Sequence, residues 1–177
     1  MRQILFGIKY VLNYWLSDKK KPLICGLVLH NICNLRCRHC TVIDRDPSKM
    51  SYDEAKGVID LFYAKGGRCL YLEGGEPYIW KDGSRSKEDV VKYAHSKGYF
   101  SVIIYTNGTQ PLCTDADTVF VSIDGLRETH DTLRGKSFDK IIANIQDSNH
   151  PSIFINYTIN SINKTDITDF CTYIATI

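Results

Sequence analysis

The chain has 177 residues, 44% of them apolar, which is enough for one domain with a sizeable core. Its 22 lysines and arginines nearly balance 20 acidic residues, so the charge gives no reason to expect a nucleic-acid partner. Its seven cysteines lack the density of a small disulfide-rich secreted protein, which indicates a reducing compartment, the cytoplasm.

The first predicted element is an amphipathic helix. Apolar residues follow helical spacing from Ile4 to Trp15. No secretory cleavage site follows, and no segment reaches the roughly 20 apolar residues of a membrane-spanning helix. We assign residues 1–21 to this helix and a basic linker that contains three consecutive lysines. The helix packs on its own domain or lies on a membrane surface, so peripheral membrane contact through residues 1–20 is one prediction.

Strands and helices alternate along the rest of the chain. The predicted strands are residues 23–30, 69–72, 100–105, 118–122 and 153–159, and the predicted helices are residues 51–65, 86–97, 137–147 and 166–175. Capping-box patterns at Ser51 and Ser86 mark two of the helix starts. The connection at residues 109–117 is expected to hold at most one turn of helix. This alternation predicts a parallel α/β sheet, and its nearly continuous apolar strands indicate that both faces are covered.

Three cysteines lie within eight residues directly after the first predicted strand, at Cys33, Cys37 and Cys40. Three thiolates on one short loop can bind one inorganic cluster at a small loop-closure cost. A 4Fe–4S cluster usually takes four thiolates, so a three-cysteine loop leaves one iron open for another ligand. From spacing alone, the alternative is a structural zinc site completed by a nearby histidine, His30 or His39.

Glycine-rich or polar segments follow the second and third strands. Adjacent glycines at Gly74 and Gly75 permit close approach of a backbone to a ligand, and Glu76 can accept a hydrogen bond from an ammonium group. The alternative is a tight turn with a solvated glutamate. Asn107 can bind sugar hydroxyls, or it can form a left-handed turn with Gly108.

The fourth strand ends in a polar segment as well. Ser122 and Asp124 offer polar contacts to a ligand or form a simple turn, and Arg134 is either a clamp for a carboxylate or a surface arginine. Because the carboxyl ends of parallel strands meet at one edge, where ligands bind, we expect all these segments and the cysteine loop to form one site.

Taken together, these residues resemble the radical S-adenosylmethionine (radical SAM) superfamily over about residues 23–175. The Cys-x₃-Cys-x₂-Cys loop resembles the cluster motif of the family, and residues 73–77 resemble its methionine-binding segment. Residues 106–108 and 121–125 resemble the ends of its third and fourth strands. Residues 130–138 resemble the corresponding region of peptide-maturing and hopanoid-adenosylating members. His39 departs mildly from the family, which often has an aromatic residue there, but its ring can stack near an adenine.

The resemblance implies a partial parallel (β/α) barrel with the amphipathic helix at its N-terminus. The core of the family usually has six strand–helix units, of which five are readable here. We therefore expect residues 22–177 to form a radical SAM core that is incomplete at its C-terminus.

The resemblance also implies an activity. The 4Fe–4S cluster, held by the three cysteines, would bind S-adenosylmethionine through its amino and carboxylate groups and cleave it to methionine and a 5′-deoxyadenosyl radical, which attacks a substrate. Gly75 and Glu76 would hold the methionine amine, Asn107 and Ser122 the ribose or carboxylate, and Arg134 the carboxylate. The full set of cofactor-binding candidates is Gly74, Gly75, Glu76, Asn107, Ser122, Asp124, Arg134 and His39.

No catalytic side chain beyond the cluster ligands is assigned. The substrate is a peptide, a lipid or a small molecule, and an electron donor such as flavodoxin or ferredoxin is expected. The alternative function, of a different class, is a zinc-stabilised binding domain without catalytic activity.

Overall fold

The computed structural model describes residues 2–16, 21–42 and 44–177, apart from the side chains of residues 2–4, 6, 13 and 14. A 3₁₀ turn at Pro77–Ile79 follows the second strand. In chain order the strands and α-helices are α1 (Arg2–Leu16), β1 (Ile24–Val28), α2 (Tyr52–Lys65), β2 (Cys69–Glu73), β3 (Lys81–Asp82), β4 (Arg85–Ser86), α3 (Lys87–Lys97), β5 (Ser101–Thr106), β6 (Thr118–Ser122), α4 (Arg127–Arg134), α5 (Phe138–Gln146), β7 (Ile153–Asn156) and α6 (Ile167–Ile174).

The ends of α2 and α3 lie where their capping residues predict. Ser51 and Ser86 are N-caps, and each forms the full capping box with the acidic residue three positions later. Both helices end at a glycine in the left-handed conformation, Gly66 with φ 109° and Gly98 with φ 97°. The local sequence therefore fixes the lengths of the two crossover helices.

Five strands form one parallel sheet in the order β1-β2-β5-β6-β7. The registers pair Val28 with Glu73, Tyr105 with Phe120 and Ser122 with Asn156. The strands that the structure describes form an open sheet, not a closed barrel. The predicted α/β class is confirmed, whereas the division between residues 1–21 and 22–177 stays a prediction.

Two apolar clusters lie between the sheet and the helices. One includes Leu27, Leu70 and Ile104, and the other includes Val121 and Phe170. Alternate strand residues point to the opposite face of the sheet, where side chains are half-buried or exposed. The helices thus cover one face, and the expectation of two covered faces is not met within the described residues.

Several short elements were not predicted from the sequence. These are α4, the 3₁₀ turn and the β3–β4 hairpin. Residues 109–117 contain no helix, and Cys113 O and Asp115 N in this segment are bonded instead to Lys87 and Glu88 of α3.

The predicted N-terminal helix is confirmed as α1. None of the described helices is long and apolar enough to cross a membrane. The described apolar side chains of α1 include Leu5, Ile8, Leu12 and Trp15, which are 54–79% exposed. Most of the predicted basic linker, residues 17–20, lies outside the described residues.

Candidate functional site at the carboxyl edge of the sheet

The three cysteines of the motif lie on the loop that follows β1, and all three are half-buried. The backbone N–H of Leu35 donates to Cys33 Sγ at 3.4 Å, and that of Val42 donates to Cys40 Sγ at 3.4 Å. A further backbone bond, from Cys40 N to Cys37 O at 3.1 Å, tightens the loop between the last two cysteines. Backbone donors therefore point at two of the three sulfurs, as suits sulfurs that carry negative charge.

Burial raises the pKa of both the Cys33 and the Cys37 thiols. For Cys33, the bond from Leu35 N–H lowers the pKa and the charge of Glu76 raises it. For Cys37, the Arg134 guanidinium lowers the pKa, and the neighbouring cysteines raise it. The thiols are thus close enough to influence one another, and a bound metal would displace their protons.

The glycine pair after β2 packs against the start of the cysteine loop. Gly75 N donates to His30 O at 2.8 Å, and Glu76 N donates to Ile32 O at 2.9 Å. A Cβ atom on Gly74 would lie 2.5 Å from His30 O, and one on Gly75 would lie 1.9 Å from Ile32 O. Glycine is required here because two backbones touch. The predicted contact of Gly75 to a methionine amine stays a prediction.

His30 makes a second link between these segments. Its ring is buried, and Nε2 donates to Glu76 O at 2.8 Å. Burial lowers the pKa of His30, and the nearby Lys49 ammonium lowers it further, while the bond to Glu76 O raises it. A neutral His30 therefore fixes the turn that carries Glu76.

The carboxylate of Glu76 joins the ends of β2 and β5. It is fully buried and accepts hydrogen bonds from Tyr78 N at 3.0 Å, Thr106 Oγ1 at 2.8 Å and Asn107 N at 2.7 Å. Burial raises the pKa of Glu76, and these three donors lower it. The solvated-glutamate alternative is therefore wrong, while the predicted contact to an ammonium group stays a prediction.

Asn107 connects the end of β5 to the first cysteine. Its Nδ2 donates to Asn34 Oδ1 at 2.9 Å and lies 3.6 Å from Cys33 Sγ. Its Oδ1 accepts from Thr109 N and Thr109 Oγ1 at 3.0 and 2.7 Å, and Asn34 Nδ2 donates to Thr109 Oγ1 at 2.8 Å. Gly108 has φ 74°, so the predicted left-handed turn is also present. Sequence reasoning missed Asn34 and Thr109.

A second network reaches the cysteine loop from the end of β6. Asp124 is fully buried, and its Oδ2 accepts from Arg134 Nε while its Oδ1 accepts from Thr158 N at 2.8 Å. Arg134 is only 8% exposed, and its Nη1 lies 4.0 Å from Cys37 Sγ. The surface-arginine alternative is therefore wrong, because Arg134 lies between a buried carboxylate and a cluster-ligand candidate.

His39 lies beside the same carboxylate, with Nε2 3.4 Å from Asp124 Oδ2. Burial and then the Arg134 charge lower the pKa of His39, whereas Asp124 raises it. Its Nδ1 is buried and makes no hydrogen bond to the residues that the structure describes. The predicted stacking of this ring near an adenine stays a prediction.

Helix α4 holds this network in place. His130 is fully buried, its Nδ1 accepts from Asp124 N at 3.3 Å, and its Nε2 donates to Ser137 Oγ at 3.0 Å. Burial lowers the pKa of His130 to about 4, so the ring is neutral. The carbonyl of Leu133 accepts from Arg38 N at 2.8 Å, which ties the same helix to the cysteine loop. His130 was not among the predicted site residues, although the family resemblance of residues 130–138 begins at it.

Ser122 is the predicted residue that remains outside both networks. It is half-buried at the end of β6, beside Asn156 of β7, and its hydroxyl makes no hydrogen bond to another described residue. All the predicted site residues thus follow or end strands at one edge of the sheet, and the structure links each of the others to the cysteine loop directly or through a neighbour.

The donor chemistry fits an iron–sulfur cluster better than one zinc ion. Three thiols on one loop with N–H donors directed at sulfur are the environment of such clusters. The two histidines that a zinc site would use direct Nε2 at Glu76 O and Asp124 Oδ2, so a zinc ion would have to take Nδ1 of either ring.

Comparison with known proteins identifies the same chemistry. Residues 27–173 match the radical SAM superfamily. The chain is 31% identical over 166 residues to Fe-coproporphyrin III synthase of Methanosarcina barkeri, covering 85% of this chain and 40% of that protein. It is 29% identical over 167 residues to the sporulation killing factor maturation protein SkfB of Bacillus subtilis, covering 86% and 39%. The chain therefore spans about 40% of the length of these relatives.

Solved structures share the fold. SuiB of Streptococcus suis bound to the precursor peptide SuiA superposes with a TM-score of 0.70 at 16% identity, covering 96% of this chain and 41% of SuiB. SuiB bound to S-adenosylmethionine gives a TM-score of 0.66 at 16% identity, covering 96% and 43%. Because the family match extends over most of the sequence and the same motifs converge on one sheet edge, this chain belongs to the radical SAM superfamily.

Proposed function

We propose that the chain is a radical SAM enzyme in which Cys33, Cys37 and Cys40 hold a 4Fe–4S cluster. Enzymes of this superfamily use that cluster together with S-adenosylmethionine. When bound, the two groups supply a 5′-deoxyadenosyl radical for attack on a substrate. The observation that carries the proposal is the cysteine loop itself, whose half-buried sulfurs face N–H donors from Leu35 and Val42 of the loop and from Asn107 at the end of β5.

The chain's own residues orient the cluster ligands. The pairing of Gly75 and Glu76 with the start of the loop fixes its position, and Asn107 places an amide N–H near Cys33. Arg134, held by Asp124, places a positive charge near Cys37. Because hydrogen bonds and charges at the sulfurs set the reduction potential of such clusters, these residues are expected to tune it.

Residue assignments for S-adenosylmethionine are part of the proposal. The shared sheet edge supports them, as does the unpartnered hydroxyl of Ser122 within the described residues. We assign the methionine amine to the segment Gly74, Gly75 and Glu76, the ribose or carboxylate to Asn107 and Ser122, and the carboxylate to Arg134. His39 is assigned to stacking near the adenine, and Asp124 to a polar contact with the cofactor.

Anaerobic reconstitution tests the cluster. The wild-type chain should bind about four irons and four sulfides and convert S-adenosylmethionine to 5′-deoxyadenosine under reduction. Replacing Cys33, Cys37 and Cys40 together by alanine should abolish both. The exposed cysteines Cys113 and Cys171 provide the matched control, since their replacement by alanine should change neither. One zinc per chain without sulfide or cleavage would establish the zinc-stabilised domain instead.

The names of the relatives support two substrate classes. SkfB is named as a maturation protein, and SuiB was solved with a precursor peptide. The synthase from Methanosarcina barkeri is named for Fe-coproporphyrin III, a tetrapyrrole. We infer a peptide substrate. Reduction by flavodoxin or ferredoxin in place of dithionite would test the expected electron donor.

A cytoplasmic location with peripheral membrane contact also belongs to the proposal. The exposed apolar side chains of α1, including Leu12 and Trp15, and the positive charges of Lys9 and Lys21 support contact with an anionic lipid surface. Co-sedimentation with vesicles of phosphatidylserine and phosphatidylcholine tests this contact. If a variant with both Leu12→Glu and Trp15→Glu sediments with the vesicles as much as the wild-type chain does, the contact is excluded.

A further inference from the structure

The face of the sheet opposite the helices has an aromatic row that the proposed cofactor site does not use. Tyr71 of β2, Tyr105 of β5, Phe120 of β6 and Phe154 of β7 all point to this face, since their strand neighbours are buried under the helices. The row therefore crosses four adjacent strands of the sheet.

The rings of the row are in contact. Tyr71 and Tyr105 meet edge to face at 5.8 Å, Tyr105 and Phe120 stack at 4.9 Å with 13° between their planes, and Phe120 and Phe154 stack at 5.4 Å with 24°. Tyr71, Tyr105 and Phe120 are half-buried, and Phe154 is 53% exposed. A row of this kind offers flat apolar area and π-faces to a ligand.

The charge on this face has one sign. Among the strand residues that point to it within the described sheet, Glu73 is the one charged side chain. Glu73 is two residues after Tyr71 and is therefore the next side chain on the same face, toward the cysteine loop. A Cβ atom on Gly26 of β1 would lie 3.0 Å from Glu73 Oε1. The carboxylate of Glu73 thus lies over Gly26, which has no side chain to cover it.

The aromatic row and the Glu73 carboxylate favour the same kind of ligand group. Aromatic faces attract cations as well as other rings, and a carboxylate attracts cations and repels anions. A polycarboxylate macrocycle would bring negative charge toward Glu73, whereas a basic side chain would pair with it. The hydroxyls of Tyr71 and Tyr105, which make no hydrogen bond to described residues, can bond a peptide backbone.

We propose that this face binds a peptide substrate through an aromatic side chain, which stacks on Tyr105, Phe120 and Phe154, and an adjacent basic side chain, which pairs with Glu73. The proposal rests on the proposed function for its chemistry. It places the substrate on the strands whose ends carry the cysteine loop, Asn107 and Asp124.

Binding can be measured without catalysis, by saturation-transfer NMR titration of the chain before and after anaerobic reconstitution. The probes are acetyl-lysyl-tryptophan amide, acetyl-glutamyl-tryptophan amide, acetyl-lysyl-alanine amide and coproporphyrin III. The lysyl-tryptophan probe should bind at least about fivefold more tightly than the other two peptides, since each lacks one of the two interactions. Coproporphyrin III should not displace it.

Variants locate the binding. Glu73→Gln should weaken the lysyl-tryptophan probe about fivefold and leave the glutamyl-tryptophan probe unchanged or tighter. Phe120→Leu should weaken both tryptophan probes about three- to tenfold. Phe154→Leu repeats the test at an exposed position in case Phe120→Leu does not fold. The matched control is Asp169→Asn, an exposed acid on α6, which should change nothing.

Other binding results overturn the proposal. Equal affinity for the lysyl and glutamyl probes, or no effect of Glu73→Gln, removes the role of Glu73. Displacement by coproporphyrin III assigns the face to a macrocycle, and a dimer that Phe154→Leu dissociates assigns it to a second copy of the chain. Peptide binding without 5′-deoxyadenosine formation would refute the proposed function alone, and cleavage without peptide binding would refute this inference alone.

Discussion

Replacing Gly75 by alanine tests whether the glycine pair exists to let two backbones touch. Gly75 does not have a positive φ, so its backbone conformation alone does not demand glycine. The added methyl carbon would lie 1.9 Å from Ile32 O and 2.4 Å from the Ile32 carbonyl carbon, whereas ordinary contact begins near 3.4 Å. The segment would have to move away from the cysteine loop by about 1.5 Å, which breaks two bonds that now measure 2.8 and 2.9 Å.

The expected loss follows from these two effects. Two hydrogen bonds contribute about 1 kcal/mol each, and overpacking costs about 1–3 kcal/mol, so Gly75→Ala should lower the free energy of unfolding by roughly 3–5 kcal/mol. That is a large part of the roughly 5–15 kcal/mol of a typical domain. Urea unfolding of the cluster-free, reduced chain, followed by circular dichroism, measures it, and iron incorporation should fall as well.

Gly57→Ala is the matched control for this measurement. Gly57 lies within α2, and a Cβ atom there would meet nothing within 4 Å. Alanine should therefore stabilise the chain by up to about 1 kcal/mol through its better helix propensity. If Gly75→Ala unfolds at the wild-type urea concentration while Gly57→Ala shifts upward, the backbone contact that we describe is not formed.

Three further substitutions test the buried polar groups. Burial lowers the pKa of His130 to about 4 from 6.5, so the unfolded chain takes up a proton first, and stability should fall by up to about 3 kcal/mol as the pH drops from 6.5 to 4. His130→Gln should flatten that slope in urea titrations, and an unchanged slope would contradict the assignment. Glu76→Gln puts an NH₂ group against an N–H or O–H donor and should cost about 1–3 kcal/mol at neutral pH; a neutral effect in urea unfolding would mean that the three bonds are not made. Arg134→Gln leaves Asp124 buried without its cation and should cost about 3–5 kcal/mol. Adding Asp124→Asn should recover part of that loss, and strict additivity in the double-mutant cycle would refute the pairing.

Local signals account for the parts of the fold that were predicted correctly. A capping box and a following glycine are decided by backbone groups within a few residues. This explains why α2 and α3 begin after Ser51 and Ser86, as predicted, and end before Gly66 and Gly98. Apolar runs likewise located all five strands of the parallel sheet. The common location of the strand-end motifs could be predicted because the carboxyl ends of parallel strands meet at one edge of the sheet.

Helix α4 escaped prediction because its buried face is polar. Leu133 is its single apolar residue, and the N-cap position, Leu126, offers no side-chain hydrogen bond. The buried residues of α4 are His130, Leu133 and Arg134, which follow helical spacing only if histidine and arginine are counted as buried. That exception arises because both polar side chains contact Asp124, 6 and 10 residues away, and Arg134 also lies near Cys37, 97 residues away in sequence.

The β3–β4 hairpin was also not predicted, but for a different reason. Asp82 and Gly83 form a turn signal that was present in the sequence, and Gly83 has φ 57°. The strands are two residues each, too short for an apolar pattern. Asp82 then accepts from Tyr52 N at 2.8 Å, so the hairpin also helps to begin α2.

The two carboxylates that the sequence assigned to the cofactor, Glu76 and Asp124, also hold protein donors in place near the cysteine loop. Glu76 and Asp124 both lie near sulfurs that become negative when they bind iron, so a free carboxylate there would be repelled. Each carboxylate is fully buried and accepts hydrogen bonds from donors of the protein. The groups that face the sulfurs are N–H donors, including Asn107 near Cys33 and Arg134 near Cys37. The acidic residues therefore hold those donors in place, while their predicted contacts to S-adenosylmethionine stay predictions. A substitution that spares the donors' positions should be better tolerated than one that moves them.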